Sequence, residues 1–203
     1  RHHSFKEVIK DPRVFLLGAA YFTLICGIYT LGFWLPTIIR DAGVADVMSI
    51  GLYSAIPYII TVIAMQVYSR RSDRLAERRW HTAIPALVSA IALATATLFN
   101  GQLALSMIFI TVATVSVWMA YTVFWAIPSQ HFKGSAAAGA IALINTIGLL
   151  GGFFSPTIIG YTKTLTNSTQ AGLLVMAVLL VLGSLLLALN RKPAAVGSSA
   201  TAY

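Results

Sequence analysis

The stretch Ser69-Arg70-Arg71-Ser72-Asp73-Arg74-Leu75-Ala76-Glu77-Arg78-Arg79-Trp80-His81 is a long polar run between two long apolar runs. It holds five arginines against one aspartate and one glutamate. If the flanking runs cross a bilayer, this segment reads as a loop in water, and its charge marks the cytoplasmic side. Composition supports that premise. Of 203 residues, 58% are hydrophobic and 10% charged, whereas a soluble domain has about a quarter of its residues charged. A net charge of +8 on a soluble protein would suggest nucleic acid. Here the basic residues sit in short segments between apolar runs, so topology explains them and no nucleic-acid partner is expected.

Outward from this stretch, six apolar runs are long enough to span, at about 14–39, 50–68, 82–99, 103–127, 135–162 and 171–190. Pro36 and Pro57 fall inside two of them and are tolerated where neighbouring helices protect the freed carbonyls. Residues 1–13 are basic and read as a cytoplasmic linker, with Asp11-Pro12 starting a helix. Residues 191–203 form a Ser/Ala/Gly tail expected to be disordered. Six spans put both ends on one side. Twelve of the fourteen Lys and Arg then share the side of the arginine run, and only Arg40 and Lys163 lie opposite. Both termini are therefore expected in the cytoplasm. The chain opens on Arg1 and carries no cleavable-signal pattern, and it is expected to be a piece of a longer protein.

Cys26 is the single cysteine and stands in an apolar run, so no internal disulfide and no metal cluster is expected. No Asp, Glu, Lys or Arg lies deep within a span. Proton-coupled transport usually uses such a group, and an intramembrane hydrolase needs a nucleophile beside a base. No enzyme and no cofactor is expected, and a titrating carboxylate would belong to a part outside this chain. In the fifth run Gly148, Gly152, Pro156 and Gly160 recur every four residues and share one helical face. That face suits either static close packing or a moving helix. Asn145 is a lone amide in an apolar setting and must find a partner, on another helix or a ligand. Trp125 is either an interfacial belt residue or a ring that stacks on substrate and offers its N–H. Tyr21 and Tyr29 are eight apart and share a face, which suggests a polar cavity or hydrogen bonds between helices. Asp73 with Arg74, Arg78 and Arg79 could latch one conformation by charge-assisted hydrogen bonds.

Asp73-Arg74-x-x-x-Arg78-Arg79 after a span resembles the cytoplasmic-loop signature of the major facilitator superfamily, with Ser69 where that loop usually has glycine. Phe33-Trp34-Leu35-Pro36, Ala55-Ile56-Pro57-Tyr58, Glu77-Arg78-Arg79-Trp80-His81 and the glycine-rich segment from Asn145 to Tyr161 together resemble its anion:cation symporter family, over about Phe5 to Lys192. The resemblance implies an all-α membrane protein whose six transmembrane helices form one half of a twelve-helix major facilitator fold. It implies alternating access between two bundles, proton symport of a small organic anion such as tartrate, a sugar acid or an aromatic acid, and a bacterial inner membrane. By the same resemblance, Trp125 and Asn145 fall on substrate-facing positions and Tyr21 and Tyr29 on cavity-facing ones. The N-terminal six-helix half becomes the expected partner, holding the anion-binding arginine and the coupling acid. A self-contained six-span channel or membrane assembly protein is the alternative.

Overall fold

In the computed structural model, residues 8–190 are described. The expectations for the first seven residues of the linker and for the tail from Arg191 fall outside them. Six helices are long and apolar enough to cross a membrane. They are α1 (Pro12–Asp41), α2 (Val47–Leu75), α3 (Arg79–Ala96), α4 (Leu103–Phe124), α6 (Ser135–Thr166) and α7 (Gln170–Leu189), with a one-turn α5 (Pro128–His131) between the fourth and fifth. A 3-10 turn, Thr97–Phe99, extends α3. Among the described residues there is no strand.

The arginine run is a different object from the loop expected. α2 continues through Ser69, both arginines and Asp73 to Leu75, and α3 restarts at Arg79. Only Ala76, Glu77 and Arg78 join them. No Gly or Pro interrupts residues 58–75, and Arg, Leu and Ser are tolerable helix formers. The helix therefore has no reason to stop at the membrane surface. Its 29 residues reach about 43 Å, against a hydrocarbon core of about 30 Å, so its charged end projects beyond the hydrocarbon. It ends when Ala76 turns left-handed (φ 48°), with the Ala76 and Glu77 N–H groups donating to Asp73 and Ser72 carbonyls. The opposite end is capped by Asp46, whose Oδ2 accepts from the Ser49 N–H and hydroxyl, both at 2.8 Å.

The packing has an internal symmetry. α1 packs on α6 as α4 packs on α2, and α3 packs on α4 as α7 packs on α1. α3 and α7 also pack on each other, and α1 meets α4. Exchanging the first three spanning helices for the last three leaves most of this scheme unchanged, the sign of two three-helix repeats. α2 and α6 are the least buried helices.

Small residues let the backbones close up. Ser89 donates to the Ala113 carbonyl on α4 (2.8 Å) and Ser184 to the Ala83 carbonyl on α3 (2.7 Å). Gly183 presses on α1 so tightly that a Cβ there would lie 1.8 Å from Thr23 Oγ1. Gly183→Ala should therefore force α7 off α1 and cost about 1–3 kcal/mol. Thermal unfolding of the detergent-solubilised protein reads this as a lowered Tm, and adding Thr23→Ala should recover part of the loss.

Candidate functional site

Tyr21 is the centre of an aromatic wall. It sits on α1 with 2% of its surface exposed. Its ring stacks on Phe124 (centroids 5.2 Å apart, planes 12° apart), meets Trp125 edge-on at 4.8 Å and faces Tyr121 at 6.0 Å. Tyr121 in turn meets Trp118 edge-on at 5.3 Å. Trp118, Tyr121 and Trp125 recur at i, i+3 and i+7, so they climb one face of α4. Trp125 occupies the cap position where α4 ends, its N–H donating to the Val123 carbonyl. Pro128 starts the next short helix.

The glycines of α6 seat these rings. A Cβ on Gly148 would fall 1.9 Å from Tyr21 Cδ1, and one on Gly152 would fall 3.0 Å from Tyr29 Cζ. Gly151 lies against the Phe22 carbonyl and Cys26, whose Sγ donates to the Gly151 carbonyl at 3.7 Å. The face expected to pack or to move is packed against α1 at Gly148 and Gly152, while Gly160 has open space around it.

Tyr29 is 38% exposed. With Ile28, Gly32, Phe33, Tyr58 and Trp118 it lines a groove of about 270 Å³ without an acidic or basic side chain. Asn145 is half-buried on α6. It lies three residues before Gly148 and seven before Gly152, hence on the face that meets α1. Its amide makes no hydrogen bond among the described residues. α1, α4 and α6 thus carry all four expected residues, with Tyr21 enclosed, Trp125 and Asn145 half-buried and Tyr29 open. Trp118, Tyr121 and Tyr58 join them without having been expected from the sequence. The i, i+3, i+7 spacing that ties the first two to Trp125 was available in the sequence.

At the arginine turn, Asp73 Oδ1 pairs with Arg78 Nη2 at 2.6 Å. Arg78 Nη1 also donates to Ser72 Oγ (2.8 Å), and that hydroxyl donates to the Glu77 carbonyl (2.6 Å). Arg79 leaves the cluster: its Nε donates to the Ala188 carbonyl, in the last turn of α7, where helix carbonyls lack internal partners. Arg74 is exposed and makes no ion pair among the described residues. Of the four residues expected to act together, Asp73 and Arg78 pair, Arg79 ties α3 to α7, and Arg74 stands apart. Glu77 has its own role. Its carboxylate accepts from the N–H groups of Trp80 and His81 (2.9 and 3.0 Å) and pairs with His81 Nδ1 at 2.7 Å. It caps α3, a duty that its place in a charged run did not reveal.

The Major Facilitator Superfamily matches residues 2–156 of the sequence. The chain belongs to this superfamily. A Pseudomonas putida protein named for metabolite transport, NicT, is 37% identical over 91% of the chain, which covers 42% of that relative. A protein of Agrobacterium vitis named for tartrate transport is 38% identical, with 91% of this chain and 40% of the relative aligned. The quinolone resistance transporter of Acinetobacter baumannii is 34% identical over 92% of this chain and 43% of its own. The chain thus spans about two-fifths of the length of these relatives. As a major facilitator chain with six apolar helices it is a multi-pass membrane protein.

In this major facilitator chain the capping carboxylate has a pH signature. Partial burial raises the Glu77 pKa, but the hydrogen bonds from His81 and from the Trp80 and His81 N–H groups outweigh it and hold the carboxyl below its ordinary value. A carboxyl depressed by folding stabilises fully above its unfolded pKa of about 4.3 and loses that contribution as pH falls through the lowered value. Glu77→Ala should lower stability by about 1 kcal/mol at neutral pH, as loss of a helix cap does. The Tm gap between parent and variant should close as the pH drops below about 4.

Proposed function

We propose that this chain is the C-terminal six-helix half of a twelve-helix carrier that moves a small organic anion across a bacterial inner membrane by proton symport. The observation that carries this reading is the aromatic wall with the unpartnered Asn145 beside the glycines that seat it. Phenols, an indole and an amide offer hydrogen bonds and stacking to an oxygen-rich substrate. They offer no full charge, so the carboxylate and the proton need partners on a second bundle. The relatives' greater length supports such a bundle. Their names cover a metabolite, tartrate and a quinolone, and tartrate favours the carboxylate class.

In this reading Asn145, Trp125 and Tyr29 touch the substrate, and Tyr21 holds Trp125 and Tyr121 in place from behind. Both termini and the arginine turn face the cytoplasm, as the distribution of Lys and Arg favours. Asp73 with Arg78 closes the α2–α3 turn, and Arg79 links it to α7, so the turn can steady one of the two transport states.

Three outcomes are expected for the full-length carrier. Asn145→Ala and Trp125→Ala should each lower the uptake efficiency of a radiolabelled carboxylate about tenfold, as losing a ligand hydrogen bond does, with the amount of protein in the membrane unchanged. Uptake should fall when the proton gradient is collapsed. Full uptake by both variants would remove these residues from the site. Asp73→Asn should change the accessibility of cysteines engineered at the cytoplasmic mouth; unchanged accessibility would reduce the turn to a topology signal.

A further inference from the structure

A second pocket lies away from the aromatic wall, where the start of α1 meets the connection between α5 and α6. It encloses about 280 Å³ and is lined by Val8, Asp11, Arg13, His131, Phe132, Lys133 and Ala136. Three features of it favour an anion. Arg13 and Lys133 are exposed and make no ion pair among the described residues. The 32-residue α6 begins beside them, at a Gly134 cap with φ 63° and no capping side-chain hydrogen bond among the described residues. Such an uncapped helix start attracts negative charge. His131 is the third: its half-buried ring has both nitrogens shielded from solvent, and neither makes a hydrogen bond of good geometry among the described residues, with the Asn190 side chain within reach of the ring. Shielded ring nitrogens are ordinarily hydrogen-bonded, so this ring has donor capacity left for a ligand in the pocket. The one carboxylate in the lining is turned to its own helix, where Asp11 Oδ1 accepts from the Arg13 N–H at 2.8 Å.

We propose that this pocket binds a phosphate group, with Arg13 and Lys133 supplying charge, His131 a ring N–H and the first turn of α6 its backbone donors. The pocket sits at the same end of the bundle as the arginine turn, because α1 starts, α2 ends and α4 ends there. That is the end at which anionic headgroups would be met if the turn is cytoplasmic. The phosphate can belong to an anionic lipid or be free in solution. Docked against α1 and α6 together, either would brace the two helices that carry Tyr21 and Asn145.

The experiment uses the full-length protein in mild detergent. Native mass spectrometry measures retention of phosphatidylglycerol against phosphatidylcholine, and thermal unfolding is followed with and without inorganic phosphate. Preferential retention of phosphatidylglycerol that drops roughly thirtyfold in Arg13→Gln/Lys133→Gln, about fivefold per charge removed, establishes a headgroup site. A rise in Tm with inorganic phosphate that the double variant abolishes, without lipid preference, establishes a free-phosphate site. His131→Phe, which keeps ring bulk, should weaken whichever ligand binds, and Lys163→Gln at the opposite end should leave it unchanged. Equal retention of both lipids and no phosphate effect, or binding untouched by the double variant, overturns the proposal.

Discussion

A bilayer core offers no hydrogen-bond partner, so every polar group that enters it must be satisfied within the protein. That constraint shapes this chain. The backbone closes into helices, and most hydroxyls bend back onto a carbonyl one turn earlier, as Thr30 does on Cys26, Thr61 on Pro57 and Thr114 on Ile110. Ser89 and Ser184 spend their hydroxyls between helices instead, and tie α3 to α4 and α7. Against that background the exceptions stand out. Trp34 Nε1 and Ser155 Oγ are buried and unpartnered, and the Asn145 amide has no hydrogen bond among the described residues. Asn145 alone of these stands with the aromatic wall, where a polar molecule could complete it.

The wall depends on a size relation between α1 and α6. Tyrosine rings on one helix need glycine on the other, and Gly148 and Gly152 provide it. The tight seat leaves Tyr21 little freedom, and Tyr21 in turn fixes Trp125 and Tyr121. A wall backed by the enclosed Tyr21 ring suits recognition, since a ring positioned by packing costs less to order when a ligand arrives. The absence of charge on the wall divides labour. In the proposed carrier, ionic recognition and proton coupling would fall to the other bundle.

The six spans were legible because lipid demands long apolar runs, and few other physical causes produce them. Their ends were less so. The arginine run looks like a loop by polarity, yet no residue before Ala76 breaks a helix, and water-exposed helix is acceptable once the hydrocarbon is left behind. Polarity reports the solvent, not the backbone. The candidate site was legible where a polar atom was conspicuous in an apolar run, as with Asn145 and the two tyrosines of α1, which the fold places on neighbouring helices. Tyr58 was hidden because its approach to Gly32 joins α2 to α1, a tertiary fact. The fate of the arginines was equally tertiary: Arg79 and Arg74 are interchangeable in a string of letters, but only Arg79 faces the open carbonyls of α7.

In the proposed carrier α1, α4 and α6 line an aqueous path that the substrate occupies, and Ile91, exposed on α3, faces lipid. Single cysteines at Tyr29, Asn145 and Ile91, placed in a cysteine-free background of the full-length carrier that includes Cys26→Ala, test this with a membrane-impermeant thiol reagent. Labelling is expected at positions 29 and 145, blocked by the transported carboxylate, and not at 91. Labelling at 91 with none at 145, or labelling at 145 that saturating substrate leaves unchanged, would contradict it.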